Sequence, residues 1–153
     1  MHKSILGAIF LGCLTQYNGS VKKWKEGCVL KKLVDVALEN LSSKDIFLFR
    51  VVCGSCGSEY GNRPIRFSKA NTAPDTQNKQ IIYNAIYEQE FRAARQVAVR
   101  NAAEHMNYCP ICKRLVCNQC FLICDDLDMC RQCAADLEQQ GNPVAAGFLE
   151  AIG

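Results

Sequence analysis

Eight of the eleven cysteines in this 153-residue sequence fall into four Cys-x-x-Cys pairs: Cys53/Cys56, Cys109/Cys112, Cys117/Cys120 and Cys130/Cys133. Two thiols at that spacing can exchange a disulfide, staple the chain, or grip a metal ion from one side. Eight thiols in four pairs is the ligand count for two tetrahedral zinc sites, and zinc is the expected cofactor, as two ions. Iron–sulfur clusters and redox disulfides are the competing uses of the same residues. The redox reading is best made for Cys53-Gly54-Ser55-Cys56, but a thioredoxin-type pair should open a helix, and the following stretch, YGNRPIRFS, reads as extended. An odd number of cysteines fits poorly with a closed disulfide framework, so the pairs read as reduced thiols in a cytoplasm. Fully closed four-thiolate sites leave no position for water or substrate, so an enzyme is not expected.

The elements that must carry these pairs are legible from periodicity. Residues 20–41 place Leu30, Leu33, Val34, Ala37, Leu38 and Leu41 at spacings of three and four, the stripe of an amphipathic helix, with Lys22, Lys23, Lys25, Lys31 and Lys32 mostly on the other face. IFLFRVVC, residues 46–53, has the β-branched and aromatic density of a strand and leads directly into the first pair. Strand, CxxCG, then extended chain is the layout of a zinc knuckle, in which Gly57 takes the left-handed backbone of the turn. KANTAPDTQN is a polar linker. Tyr83, Tyr87, Phe91, Ala94, Ala98 and Ala102 then mark one face of a long helix over 78–105, and Arg92, Arg95 and Arg100 lie off that line. A short helix follows Cys130 and stops at Gly141-Asn142-Pro143.

The expected organisation is therefore an N-terminal apolar segment and amphipathic helix, 1–45, and a two-zinc module, 46–153. The module divides into a knuckle (46–67), a linker (68–77), the long helix (78–105), and the Cys cluster with a C-terminal helix (106–153). ILGAIFLGCL near the N-terminus has some of the grammar of an export signal, but it is short and poorly flanked by basic residues. A buried strand or short helix is the better reading. No run approaches the ~18 apolar residues of a membrane span. Cys13 and Cys28 read as core residues, and Cys124 as a buried or partly buried thiol rather than an alternative ligand. Asp125, Asp126 and Asp128 lack the ligand ladder of a calcium loop and read as a solvated turn.

The four pairs could combine sequentially, or in a cross-brace that joins the first to the third and the second to the fourth. The four-residue gap between Cys112 and Cys117 favours the cross-brace, with KRLV as the connector between sites. At this point CPICKRLVCNQCF followed by Met129-Cys130-x-x-Cys133 resembles the treble-clef cross-brace of FYVE- and RING-like zinc domains. It is also similar to small bacterial proteins with a CPxC…VCxxCF…MCxxCA signature. The resemblance covers residues 109–134 closely and residues 50–57 as the first knuckle. It implies an α+β, zinc-stapled fold, treble-clef or zinc-ribbon-like, with a long inserted helix. The ligand sets are then Cys53, Cys56, Cys117 and Cys120 for one ion, and Cys109, Cys112, Cys130 and Cys133 for the other. The chain departs from these families in three places: fifty-two residues separate the first two pairs, His105-Met106-Asn107-Tyr108 stands where FYVE domains carry a basic lipid-binding motif, and the third pair has no histidine neighbour. Neither lipid binding nor ligase activity is implied.

The formal charge of +3 invites a nucleic-acid reading. Four thiolates and one divalent ion carry −2 per site, however, so two sites move the total to about −1. Nucleic-acid binding, carried by the Lys-rich segment and by Arg92, Arg95 and Arg100, is the alternative reading, and a thiol redox switch or oxidoreductase is another. The leading expectation is a non-enzymatic protein–protein interaction or adaptor module. Its partner would be another protein or a second copy of the chain, with Phe121, Leu122 and Ile123 as part of the surface or of the core.

Overall fold

The computed structural model describes residues 21–124 and 127–141. The N-terminal apolar segment, Cys13, Asp125, Asp126 and the Asn142-Pro143 stop lie outside the described residues. The elements are α1 (Val21–Ala37), β1 (Glu39–Asn40), β2 (Ile46–Phe47), β3 (Phe49–Val52), β4 (Glu59–Gly61), β5 (Ile65–Arg66), α2 (Gln77–Ala103), β6 (Met106–Tyr108), β7 (Leu115–Cys117), β8 (Phe121–Leu122), β9 (Met129–Cys130) and α3 (Arg131–Gln139). Helices and small antiparallel sheets are mixed, an α+β architecture. The sheets are β1-β3-β4, β2-β5, β6-β7 and β8-β9.

The long helix is where sequence and packing agree most closely. Thr76 caps it, its side chain accepting from Lys79 N at 3.3 Å. The predicted stripe faces the sheets: Ala94, Ala98 and Ala102 are buried, and Tyr83, Tyr87 and Phe91 pack against the core. The aromatic end meets Phe47, Phe49 and Phe67, all fully buried, in edge-to-face contacts at 5.1–5.9 Å. Small alanines at the other end let the backbone of α2 approach β3 and β4 closely, and the helix terminus meets the cysteine region, Asn118 donating to His105 O and Glu104 O.

The first helix is shorter than its stripe implies. It ends at Ala37, because Glu39–Asn40 pairs as β1 with Arg50 and Phe49. Val34 and Leu38 reach the core, while Ala37 and Leu41 are exposed. Arg95 of α2 fastens this helix: its Nε donates to the Asp35 carboxylate and its Nη2 to the Asp35 carbonyl, both at 2.7 Å, and its guanidinium lies over the Phe49 ring. Residues 46–53 do not form one strand. They break between β2 and β3, and buried Asn62 bridges the break by accepting from Phe49 N (2.8 Å) and donating to Phe47 O (3.1 Å) and Arg63 O (2.7 Å). Every polar atom of that side chain is satisfied, which is what its burial requires.

Candidate metal centre

Each of the first two pairs sits on the turn of an antiparallel hairpin. β3 delivers Cys53, and the chain turns and leaves as β4. In the turn Cys53 N donates to Ser58 O (2.8 Å) and Gly57 N to Cys53 O (3.1 Å). The second hairpin repeats the scheme between β6 and β7, with Cys109 N on Arg114 O (3.0 Å) and Lys113 N on Cys109 O (2.9 Å). Both turns place a left-handed residue directly after the second cysteine: Gly57 at φ 77° and Lys113 at φ 62°. Only the glycine adopts it without a Cβ penalty.

The other two pairs follow short strands. Cys117 ends β7 and leads into a 3₁₀ turn, Asn118–Cys120. Cys130 ends β9 and is the N-cap of α3, its sulfur accepting from Cys133 N at 3.4 Å. These pairs meet the hairpin turns in interleaved order. Cys53, Cys56, Cys117 and Cys120 form one group and Cys109, Cys112, Cys130 and Cys133 the other, with the sulfurs of each group all within 4.8 Å of one another. The recorded Cys56–Cys117, Cys109–Cys133 and Cys112–Cys130 separations are 3.7, 3.8 and 3.8 Å. A tetrahedron of sulfurs at the ~2.3 Å zinc–thiolate distance has edges of about 3.8 Å. Both groups could therefore hold a metal ion.

Backbone N–H groups are aimed at the same sulfurs. Cys53 Sγ accepts from Ser55 N, Cys56 N and Cys117 N at 3.2–3.5 Å, and Cys109 Sγ accepts from Cys130 N at 3.3 Å. Burial opposes ionisation of Cys53 and Cys109, but these bonds still hold both thiols below the usual range. The Ser58 hydroxyl, 3.1 Å away, brings Cys56 down to about 6. Cys112 is also brought to about 6, against the effect of burial, with the Arg114 guanidinium at 3.4 Å as the main cause. Burial and the neighbouring thiols push Cys120 up to about 12, and push Cys130 and Cys133 up as well. Four sulfurs at such spacing cannot all be anionic unaided; retained protons remove the conflict, and a divalent cation would do so with all four as thiolates.

Several residues of this layer carry no sequence signal. Ser58 and Arg114 touch thiols, and Tyr60, whose hydroxyl is pushed up by the neighbouring Cys117, stacks its ring on His105 at 5.4 Å. Cys124 lies outside both groups, its N–H donating to Asp128 Oδ1 at 3.0 Å. Cys28 is disulfide-bonded and half-buried, which corrects its reading as a core residue. Of the Phe121–Ile123 trio, Leu122 is buried, Phe121 packs against the core, and Ile123 is 86% exposed.

No family model, curated protein or solved structure matches the chain. Among the described residues no helix is long and apolar enough to cross a membrane.

Proposed function

We propose that the two cysteine groups hold two zinc ions as closed structural centres of a cross-braced treble clef, and that the protein is a non-enzymatic interaction module. The observation that carries this is the gathering of eight sulfurs into two complete sets of four, each set within 4.8 Å. A complete thiolate set offers no open coordination position, so the metal acts on folding rather than on a substrate. The hairpin turn holding Cys109 and Cys112, the β8-β9 hairpin, and a helix opening on Cys130 and Cys133 follow one another as a treble clef requires.

Zinc at such centres contributes on the order of 10 kcal/mol to folding, comparable with the stability of a whole domain. The frame thus stiffened exposes Ile123 after β8, Leu127 before β9, and Ile81 and Ile82 on α2, the kind of apolar surface that another protein or a second copy would cover. Nucleic acid is the poorer partner, since Arg95 is committed to Asp35 and Phe49. A cytoplasmic setting would keep the eight thiols reduced, and the Cys28 disulfide is the one feature such a compartment would open.

The test is metal content per chain on protein purified without added metal, beside Cys53→Ser and Cys109→Ser. Two zinc ions, reduced by about one in each variant, support the reading. One ion, or iron, overturns it. Light scattering and pull-down then test the interaction role, which an inert monomer with no captured partner would remove.

A further inference from the structure

Arg114 belongs to neither cysteine group, yet its guanidinium joins a cysteine of the second group to the backbone of the first turn. Nε donates to Cys112 Sγ at 3.4 Å, Nη1 to the Gly54 carbonyl at 2.7 Å, and Nη2 to Gln132 Oε1 at 3.0 Å. Gly54 is the residue after Cys53 inside the first turn, sixty positions away in sequence. Gln132 stands on α3 between Cys130 and Cys133. One rigid, planar cation therefore ties the turn of the first centre to a ligand and to the helix of the second.

The Gly54 backbone is clamped at both its N–H and its carbonyl. While Arg114 takes its carbonyl, its N–H donates to Leu115 O at 2.9 Å. A Cβ on Gly54 would lie 3.1 Å from that oxygen and 3.3 Å from Arg114 Cβ, so the approach is matched to glycine. The two residues that close the clamp, Arg114 and Leu115, are consecutive and follow the second turn directly.

We infer that Arg114 is a positioning residue that couples the two centres, so that filling either one raises the metal affinity of the other. The inference rests on the two-metal reading above. Metal at the second centre fixes the Cys112 sulfur in place, and the guanidinium that donates to that sulfur is fixed with it. A firmly held guanidinium fixes the Gly54 carbonyl, and with it the turn that presents Cys53 and Cys56. Coupling is reciprocal, so metal at the first centre steadies Arg114 over Cys112 by the same factor.

The test is a titration of reduced, metal-free full-length protein with ¹¹³Cd²⁺, followed by cadmium NMR, in which each four-thiolate centre gives its own resonance. Cys56→Ser identifies the resonance of the first centre. In the wild type both resonances should grow together from the first additions. In Arg114→Met, which keeps the reach of the side chain and removes its donors, the two resonances should no longer grow together, because metal at either centre no longer raises the affinity of the other about tenfold. Gly54→Ala acts on the other end of the clamp without touching Cys112 and should separate the two steps in the same way. Sequential filling in the wild type overturns the inference, as does joint filling in Arg114→Met or Gly54→Ala. Should Arg114→Met fail to fold, Gly54→Ala decides alone. A wild type that binds fewer than two ions would instead overturn the two-metal reading itself.

Discussion

The two cysteine groups share one plan and differ in how well the fold supports it. In each, a hairpin turn provides the first pair, and the leading sulfur of that pair accepts an N–H from the leading cysteine of the other pair: Cys117 N to Cys53, Cys130 N to Cys109. The second centre adds a nine-residue helix whose N-terminus opens on its cysteines, with Cys130 as a bonded cap, and three of its four cysteines are buried. The first centre ends instead in a single 3₁₀ turn with no side-chain cap bond, and Cys56 is exposed. Helix N-termini and burial both favour a retained thiolate–metal bond, the first by its positive end and the second by excluding competing water and protons. Equal ligand sets therefore do not make equal centres.

The largest effect expected from this difference is on folding. Cys130→Ser should cost most of the ~10 kcal/mol that a structural zinc contributes and leave the chain without cooperative thermal unfolding. Cys56→Ser should lose one metal ion and keep the second centre, with a lowered but still cooperative transition. If circular dichroism shows the two variants melting alike, the ranking of the centres fails.

A chelator challenge sharpens the same contrast. With a chromogenic chelator in excess, zinc should leave in two phases, the faster one abolished in Cys56→Ser. A single phase, or a faster phase that survives in that variant, would contradict the comparison.

The turns themselves differ in a smaller way. Lys113 holds a left-handed conformation that Gly57 reaches without strain, so Lys113→Gly should stabilise the zinc-loaded protein by about 1 kcal/mol and Gly57→Lys should destabilise it by about 1–2 kcal/mol. Denaturant midpoints at matched zinc give both numbers. A destabilising Lys113→Gly would mean that the lysine side chain makes a contact worth more than the strain.

The smallest expected effect is a shift in reactivity. In metal-free protein Cys56 is held near 6, below the ordinary 9.0, so its stabilising contribution is complete above about pH 9 and is lost as the pH falls through about 6. Alkylation of Cys56 should follow that thiolate, being fast at pH 7 and slowing below 6, and Ser58→Ala should move the midpoint upward. Rate profiles that coincide for the two proteins would remove Ser58 as the cause.

Much of the frame was legible before any coordinates. The Tyr83-to-Ala102 stripe marks the buried face of α2 because a long helix against one sheet repeats the same contact every three or four residues. Legibility failed where a competing long-range bond won. Leu41 continues the helical stripe of α1, but strand pairing of Glu39–Asn40 with β3 ended the helix first. Residues 46–53 look like one strand, and the Asn62 side chain, thirteen or more positions away, holds them as two. Ser58, Tyr60 and Arg114 are common residue types at unremarkable spacings, and nothing local marks them as neighbours of a thiol.

What the sequence determined by itself is the chemistry: eight thiols, their grouping in pairs, the turn after the first pair, and the helix that opens on the last. Those are local properties, because two cysteines three positions apart are brought together by a single tight turn. That Arg114 lies between the centres was decided only in the tertiary structure, which also turned the cross-brace that the Cys112–Cys117 gap favoured into two groups of sulfurs in space. Those relations depend on where α2 sets down the second hairpin relative to the first, across fifty-two intervening residues, and no local spacing encodes such a position.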